Sequence, residues 1–175
     1  MGAHLLKYLI NKEDKLLFVN ISKNIDANHH LIRKEEGFRS YFSDNSLPNS
    51  IIKIDILSTN PAEVKKELKN IFKEHADVRA IFVSNSRVSY VANFLEENQL
   101  MNKLLIGFDF LPENIEYLKN DTIDFLICQK PNDQGYKGIM VLCNKLLRNQ
   151  APDKINFMPI DIVTKENYQY YNSLI

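Results

Sequence analysis

Six apolar runs of strand length alternate along this chain with stretches whose apolar residues recur at helical period, and no other feature restricts the fold as much. The strand candidates are KLLFVNI (15–21), IIKIDIL (51–57), RAIFVSN (79–85), KLLIGFD (103–109), DFLICQ (124–129) and FMPIDIV (157–163). Helical patterns fall between and before them, at about 3–11, 29–44, 61–76, 87–98, 112–119 and 132–148. Near-continuous apolar strands separated by helices are what a parallel sheet covered on both faces requires, so the pattern predicts an α/β fold, a three-layer doubly wound parallel sheet. The third helix carries the clearest start signal: Asn60 can cap it, Pro61 suits its first turn, and Glu63 can reach back to the Asn60 backbone N–H.

Composition narrows the function. Lys plus Arg and Asp plus Glu number 22 each, so no net field draws the chain to nucleic acid or anionic lipid. The longest uninterrupted apolar runs are about five residues, against roughly 20 needed to span a bilayer, and Met1 is followed by no secretory leader pattern. Cys128 and Cys143 sit within apolar patterns, as reduced, packed thiols of a cytoplasmic protein would. No repeat, low-complexity tract or Gly/Ser linker marks a domain boundary. The opening AHLLKYLI reads as a helix already under way with no capping residue ahead of it, as expected of a fragment.

Ligands of open α/β sheets sit beyond the carboxyl ends of the strands. Those ends supply Asn20 and Ser22, Asn85 and Ser86, Asp109, and Gln129, each after a strongly apolar run. An Asp in that place can accept hydrogen bonds from vicinal hydroxyls of a sugar-like ligand; it can equally cap the helix whose first turn holds Leu111 and Pro112. In NHHLIRKEEGFRSYF (28–42), Arg33 and Lys34 open a helix near the same edge, either as cations facing ligand oxygens or as an exposed pair balanced by Glu35 and Glu36. His29 and His30 are adjacent, diverge, and lack a partner at ligand spacing, so no metal is expected. Phosphate-loop, dinucleotide, nucleophile-elbow and zinc-protease motifs are all missing, and neither cysteine has an evident base, so neither an enzyme nor a cofactor is expected.

The ordered set AIFVSNSR, then KLLIGFDFLPENIEYLKNDTIDFLICQKPNDQGYKGIMVLCNKLL, with RKEEGFRSYF before it and MPIDIVTKEN after it, resembles the effector-binding core of LacI-type transcriptional regulators and the related periplasmic sugar-binding proteins. The resemblance implies a periplasmic-binding-protein-like fold of type I, comprising a C-terminal lobe and part of an N-terminal lobe. Residues 1–120 would form the C-terminal lobe, 121–150 a strand and helix crossing to the N-terminal lobe, and 151–175 a return strand and tail, with the DNA-binding headpiece absent from this chain. It also implies that Asn85, Asp109 and Gln129 bind the ligand. Lys34 stands where the family has its ligand-binding Arg, with Arg33 one place earlier, and Ser86 stands where Asp is common. The implied function is sensing: a small effector, a carbohydrate above all, closes an interlobe cleft and alters DNA binding by a homodimer. The alternative is an exported transport or chemosensory protein of the same fold.

Two further expectations follow. Val88, Val91, Phe94 and Leu95 form one apolar stripe, whose margin is expected to serve self-association. The strand at 124–129 and the helix after it, apolar at Ile139, Leu142, Cys143 and Leu146, are expected to dock on the remaining sheet or, preferentially, to pair with a second copy.

Overall fold

The computed structural model describes residues 1–172. Its elements run α1 (Gly2–Lys7), β1 (Lys15–Ile21), α2 (His29–Asp44), β2 (Ile51–Ile56), α3 (Pro61–Glu74), β3 (Val78–Val83), α4 (Val88–Glu97), β4 (Leu104–Phe108), α5 (Pro112–Lys119), β5 (Phe125–Cys128), α6 (Pro131–Arg148), β6 (Asp161–Val163) and α7 (Tyr168–Asn172). One six-stranded sheet has the order β2-β1-β3-β4-β5-β6. The first five strands are parallel and β6 pairs antiparallel with β5, so the sheet is mixed rather than purely parallel. The last strand is shorter than expected because Pro159 has no N–H to give a ladder.

Alternation along each strand builds two cores. Leu17, Val19 and Ile21 of β1 join Ile81, Val83, Leu105 and Leu126 beneath α3 and α4. Leu16 and Phe18 join Ala80, Phe82, Ile106 and Ile127 beneath α1 and α2. That gives the expected three layers. Helix α3 starts as expected, with the Asn60 side chain accepting from the N–H groups of Ala62 and Glu63. The return half of the box is not made by Glu63: the Asn60 N–H donates to Ser58 Oγ at 3.0 Å.

Two expectations are corrected and one stated alternative is met. The stripe on α4 is consumed internally, since Val88, Val91, Phe94 and Leu95 are all buried in the chain's own core, and it spares no margin for a partner. Strand β5 takes the first of its two expected alternatives and docks on this chain's own sheet, pairing with β4 on one side and β6 on the other. Helix α6, in contrast, buries none of its residues; Leu146 and Leu147 are 80 % and 82 % exposed, and Ile139 and Leu142 also face outward. The chain therefore leaves the sheet after Cys128 and rejoins it at β6. Of the tail 151–175, the final three residues lie outside the described ones. Among the described residues no helix is long and apolar enough to cross a membrane.

Candidate functional site

The sheet changes its winding sense between β1 and β3. From β1 the chain leaves through α2 to β2 at one side, and from β3 it leaves through α4 to β4 at the other, with the two helices on opposite faces. In sheets of this kind the carboxyl ends of the strands around such a reversal are the usual place for a ligand. Four of the six expected site residues, Ser22, Asn85, Asp109 and Gln129, stand just past the ends of β1, β3, β4 and β5, and Arg33 and Lys34 approach from α2.

Lys34, Asp109 and Gln129 are brought together. The Lys34 ammonium lies 3.4 Å from the centroid of the Phe108 ring and donates to the Ser84 carbonyl at 2.9 Å. Burial pulls its pKa down from the ordinary 10.5 to about 8, with the opposing attraction of the Asp109 carboxylate the smaller effect. Gln129 Nε2 donates to Asp109 Oδ1 at 3.3 Å. The Asp109–Gln129 pair stands between two hollows. One, of about 270 Å³, is lined by Arg33, Lys34, Phe108 and Gln129; the other, of about 350 Å³, by Asp109, Gln129, Lys130, Cys128 and Tyr171.

Asp109 does not cap α5. The cap position is Leu111, which makes no side-chain bond, and the turn is held from inside the helix by Asn114. Asn114 is fully buried; its Nδ2 lies 3.0 Å from the carbonyls of Ser86 and Asp109 and 3.1 Å from that of Phe108, while its Oδ1 accepts the Ser89 N–H at 3.2 Å. With its local structural task performed by Asn114, the Asp109 carboxylate keeps most of its acceptor capacity for a ligand. Asp109 also has φ 71°, a left-handed conformation that Asp tolerates better than most residues, and its N–H extends the ladder to the Ile127 carbonyl at 3.1 Å. The glycine two places earlier is dictated by packing: a β-carbon on Gly107 would lie 2.3 Å from Val88 Cβ at the start of α4. The Gly-Phe-Asp run thus joins a close helix–strand contact, a ring under Lys34 and a presented carboxylate.

Asn85 and Ser22 stand apart from that cluster and are bonded to backbone. Asn85 Nδ2 donates to the Ile21 carbonyl at 2.7 Å, and its Oδ1 accepts the Arg87 N–H at 3.2 Å. Ser22 Oγ donates to the Asn24 carbonyl at 3.3 Å and accepts from Asn28 Nδ2 at 3.0 Å, which orders the loop into α2. Arg33 is exposed on the rim of the smaller hollow. Residue-by-residue reading did not single out Arg87, whose Nη1 reaches the Ile21 carbonyl at 3.3 Å at the end of β1, nor Lys130, which adopts φ 50° and ψ 64° at the exit from β5 and pairs with Asp161 at 3.0 Å. Neither was signalled by sequence, since both depend on where two distant segments meet. Cys128 is buried, and burial above all, with the charges of Asp109 and Asp161, pushes its thiol up to about 12, so it stays protonated at neutral pH. Among the described residues no cluster of His, Cys, Asp and Glu has the makings of a metal site.

A family model described as "periplasmic binding protein domain" matches residues 1–150. The ribose import binding protein of Salmonella typhimurium is 26 % identical over 120 residues, which are 65 % of this chain and 40 % of that protein. Among solved structures, a candidate LacI transcriptional regulator from Bacteroides fragilis superposes with a TM-score of 0.86 at 32 % identity, covering 97 % of this chain and 59 % of that one. A periplasmic ribose transporter protein from Conexibacter woesei superposes at 0.83 with 18 % identity, over 98 % of this chain and 57 % of that one, a likeness of fold alone. The chain therefore spans between two fifths and three fifths of the length of these relatives.

Proposed function

The chain belongs to the periplasmic binding protein domain family, and from that membership we propose that it is the ligand-sensing part of a LacI-type transcriptional regulator. On this reading a sugar or similar small polar effector binds at the carboxyl edge of the sheet, against Asp109, Gln129 and Lys34, with Asn85, Arg33 and Ser22 on the same edge. The observation that carries the binding half is the Asp109 carboxylate, presented at the edge with a single long hydrogen bond from Gln129 at 3.3 Å. A charged acceptor with spare lone pairs is suited to holding neighbouring hydroxyls. No catalytic role is assigned: the one buried thiol is held protonated, and recognition by hydrogen bonds suffices for a sensor.

The regulator half is supported by the 32 % identity to the Bacteroides protein, maintained over nearly the whole chain. The exposed apolar face of α6 supports a second lobe closing over the ligand edge: residues 1–128 form this lobe, α6 serves the other, and β6 brings the chain back. DNA would be contacted by another part of the polypeptide, as a homodimer in the cytoplasm. The ribose import relatives favour a second reading, an exported sugar-binding protein. The test has two arms. Calorimetric titration with aldopentoses and aldohexoses should give saturable binding of at least one sugar, and the intact gene product should retard DNA from its own upstream region in a sugar-dependent way. Sugar binding without any DNA retardation would leave the transport reading; binding of no sugar would reject the ligand class.

A further inference from the structure

We infer that Asn20 is a positioning residue for this cleft: buried where β1, β2 and β3 run side by side, it holds the end of β3 in the place from which the Ser84 carbonyl grips Lys34. The inference rests on the reading of Lys34 as a cleft residue.

Asn20 is the one polar side chain in the buried stretch of β1, at 1 % exposure, and Ser84 beside it is fully buried. A polar pair in such a place is retained only if its hydrogen bonds are made, because an unpaired group there loses its water with no return. They are made in series. Ser84 Oγ donates to Asn20 Oδ1, and Asn20 Nδ2 donates to Asp55 Oδ1 at 2.7 Å, from the residue directly opposite in the β1–β2 ladder. Lys53 then bridges Asp55 and Glu35, at 3.1 Å to each, and Arg39 braces Glu35 at 2.9 Å. Glu35 is the neighbour of Lys34 on α2, and Lys34 donates to the Ser84 carbonyl at 2.9 Å. The chain of contacts is thus a closed ring, Lys34–Ser84–Asn20–Asp55–Lys53–Glu35, that fastens α2 to β2 on one side and to β3 on the other. Asn20 is the member that joins the two sides. Its amide can satisfy the ring in only one orientation, carbonyl toward Ser84 and NH₂ toward Asp55, so it fixes both neighbours at once.

The consequence is confined to the cleft. Ser84 precedes Asn85, and its carbonyl sets the height of the Lys34 amine over Phe108. Facing Lys34 from the sheet is Asp109; on α2 the flanking charges are Arg33 and Glu35, the latter occupied by Lys53 and Arg39. When the anchor is released, the amine gains water and its titration moves up toward that of an ordinary lysine.

The experiment follows the Lys34 side chain by NMR in protein labelled with ¹³C-lysine, its signal identified by its loss in Lys34→Arg. In Asn20→Leu and Ser84→Ala the Lys34 midpoint should rise by about one pH unit. Urea unfolding identifies which variants are folded; should Asn20→Leu fail to fold, Ser84→Ala, which removes only a hydroxyl, decides. An unmoved midpoint in every folded variant of Asn20 and Ser84 overturns the inference. A midpoint that moves while sugar affinity stays constant upholds the ring and instead rejects Lys34 as a ligand contact.

Discussion

At the scale of single residues, the site is decided by which polar atoms already have partners. Asp109 has φ 71°, so its replacement by Ala would mix a conformational cost with the loss of the carboxylate; Asp109→Asn keeps a side chain tolerated there while removing the charge and turning one acceptor oxygen into a donor. Sugar affinity should fall at least about tenfold, roughly 1.4 kcal/mol, as charge-assisted hydrogen bonds become neutral ones. Unfolding in urea should be nearly unchanged. Unaltered affinity in calorimetry would remove Asp109 from the site. Lys34 carries a second prediction, with its sign set by a lowered pKa of about 8. Between about pH 8 and 10.5 the unfolded chain binds the proton that the folded chain has released, so this group's contribution to stability becomes more favourable as pH rises. Below pH 8 both states are protonated and the charge is carried at the cost of its burial. Lys34→Met should therefore compare best with wild type at pH 7, and its relative standing should decline by pH 9.5. A stability difference constant across that range would mean the amine is not desolvated.

Among the elements, the contact between α4 and β4 is the tightest constraint near the site. A β-carbon on Gly107 would lie 2.3 Å from Val88 Cβ and 2.5 Å from both Val88 methyls, all of them buried and unable to swing away. Gly107→Ala should destabilise the fold by about 1–3 kcal/mol through forced displacement of α4, and Val88→Ala in the same chain should recover part of that loss. Additive losses in the double variant would show that the two residues do not share the strain. Helix α5 shows the complementary lesson: its cap residue is apolar, and an interior Asn114 takes over the turn. Sequence rules place a polar cap just before a helix, so this substitution of roles was not legible, and it is why Asp109 read equally well as a cap.

For the whole molecule, burial is very uneven: β1 is buried along all but its first residue, whereas α6 buries none. Truncation of a core strand and alteration of α6 should therefore behave oppositely in this 175-residue chain. Leu126→Ala, in the sheet's core, should cost about 2–5 kcal/mol in urea unfolding. Leu146→Lys, at a position 80 % exposed, should stay within about 0.5 kcal/mol of wild type. A large loss from Leu146→Lys would show that α6 packs against something in solution. Hydrogen exchange should show the same division, with α6 amides exchanging long before those of β1 and β3.

The alternation of solid apolar runs with helical periods determined the layers and the succession of elements, because backbone hydrogen bonding and burial act on short stretches that a sequence displays. It also brought Asp109 and Gln129 forward, since residues that follow strands share one edge of any parallel sheet. Only the tertiary structure decided what those residues do there. Asn85 and Ser22 proved to be engaged with backbone, β5 proved to lie inside the sheet, the α4 stripe was already covered, and α6 was left outside. Each outcome depends on which distant segments meet. A hydrogen-bond partner 64 residues away, as Asn20 is from Ser84, leaves no trace in local pattern, because the free energy that selects it arises only once both ends are desolvated together.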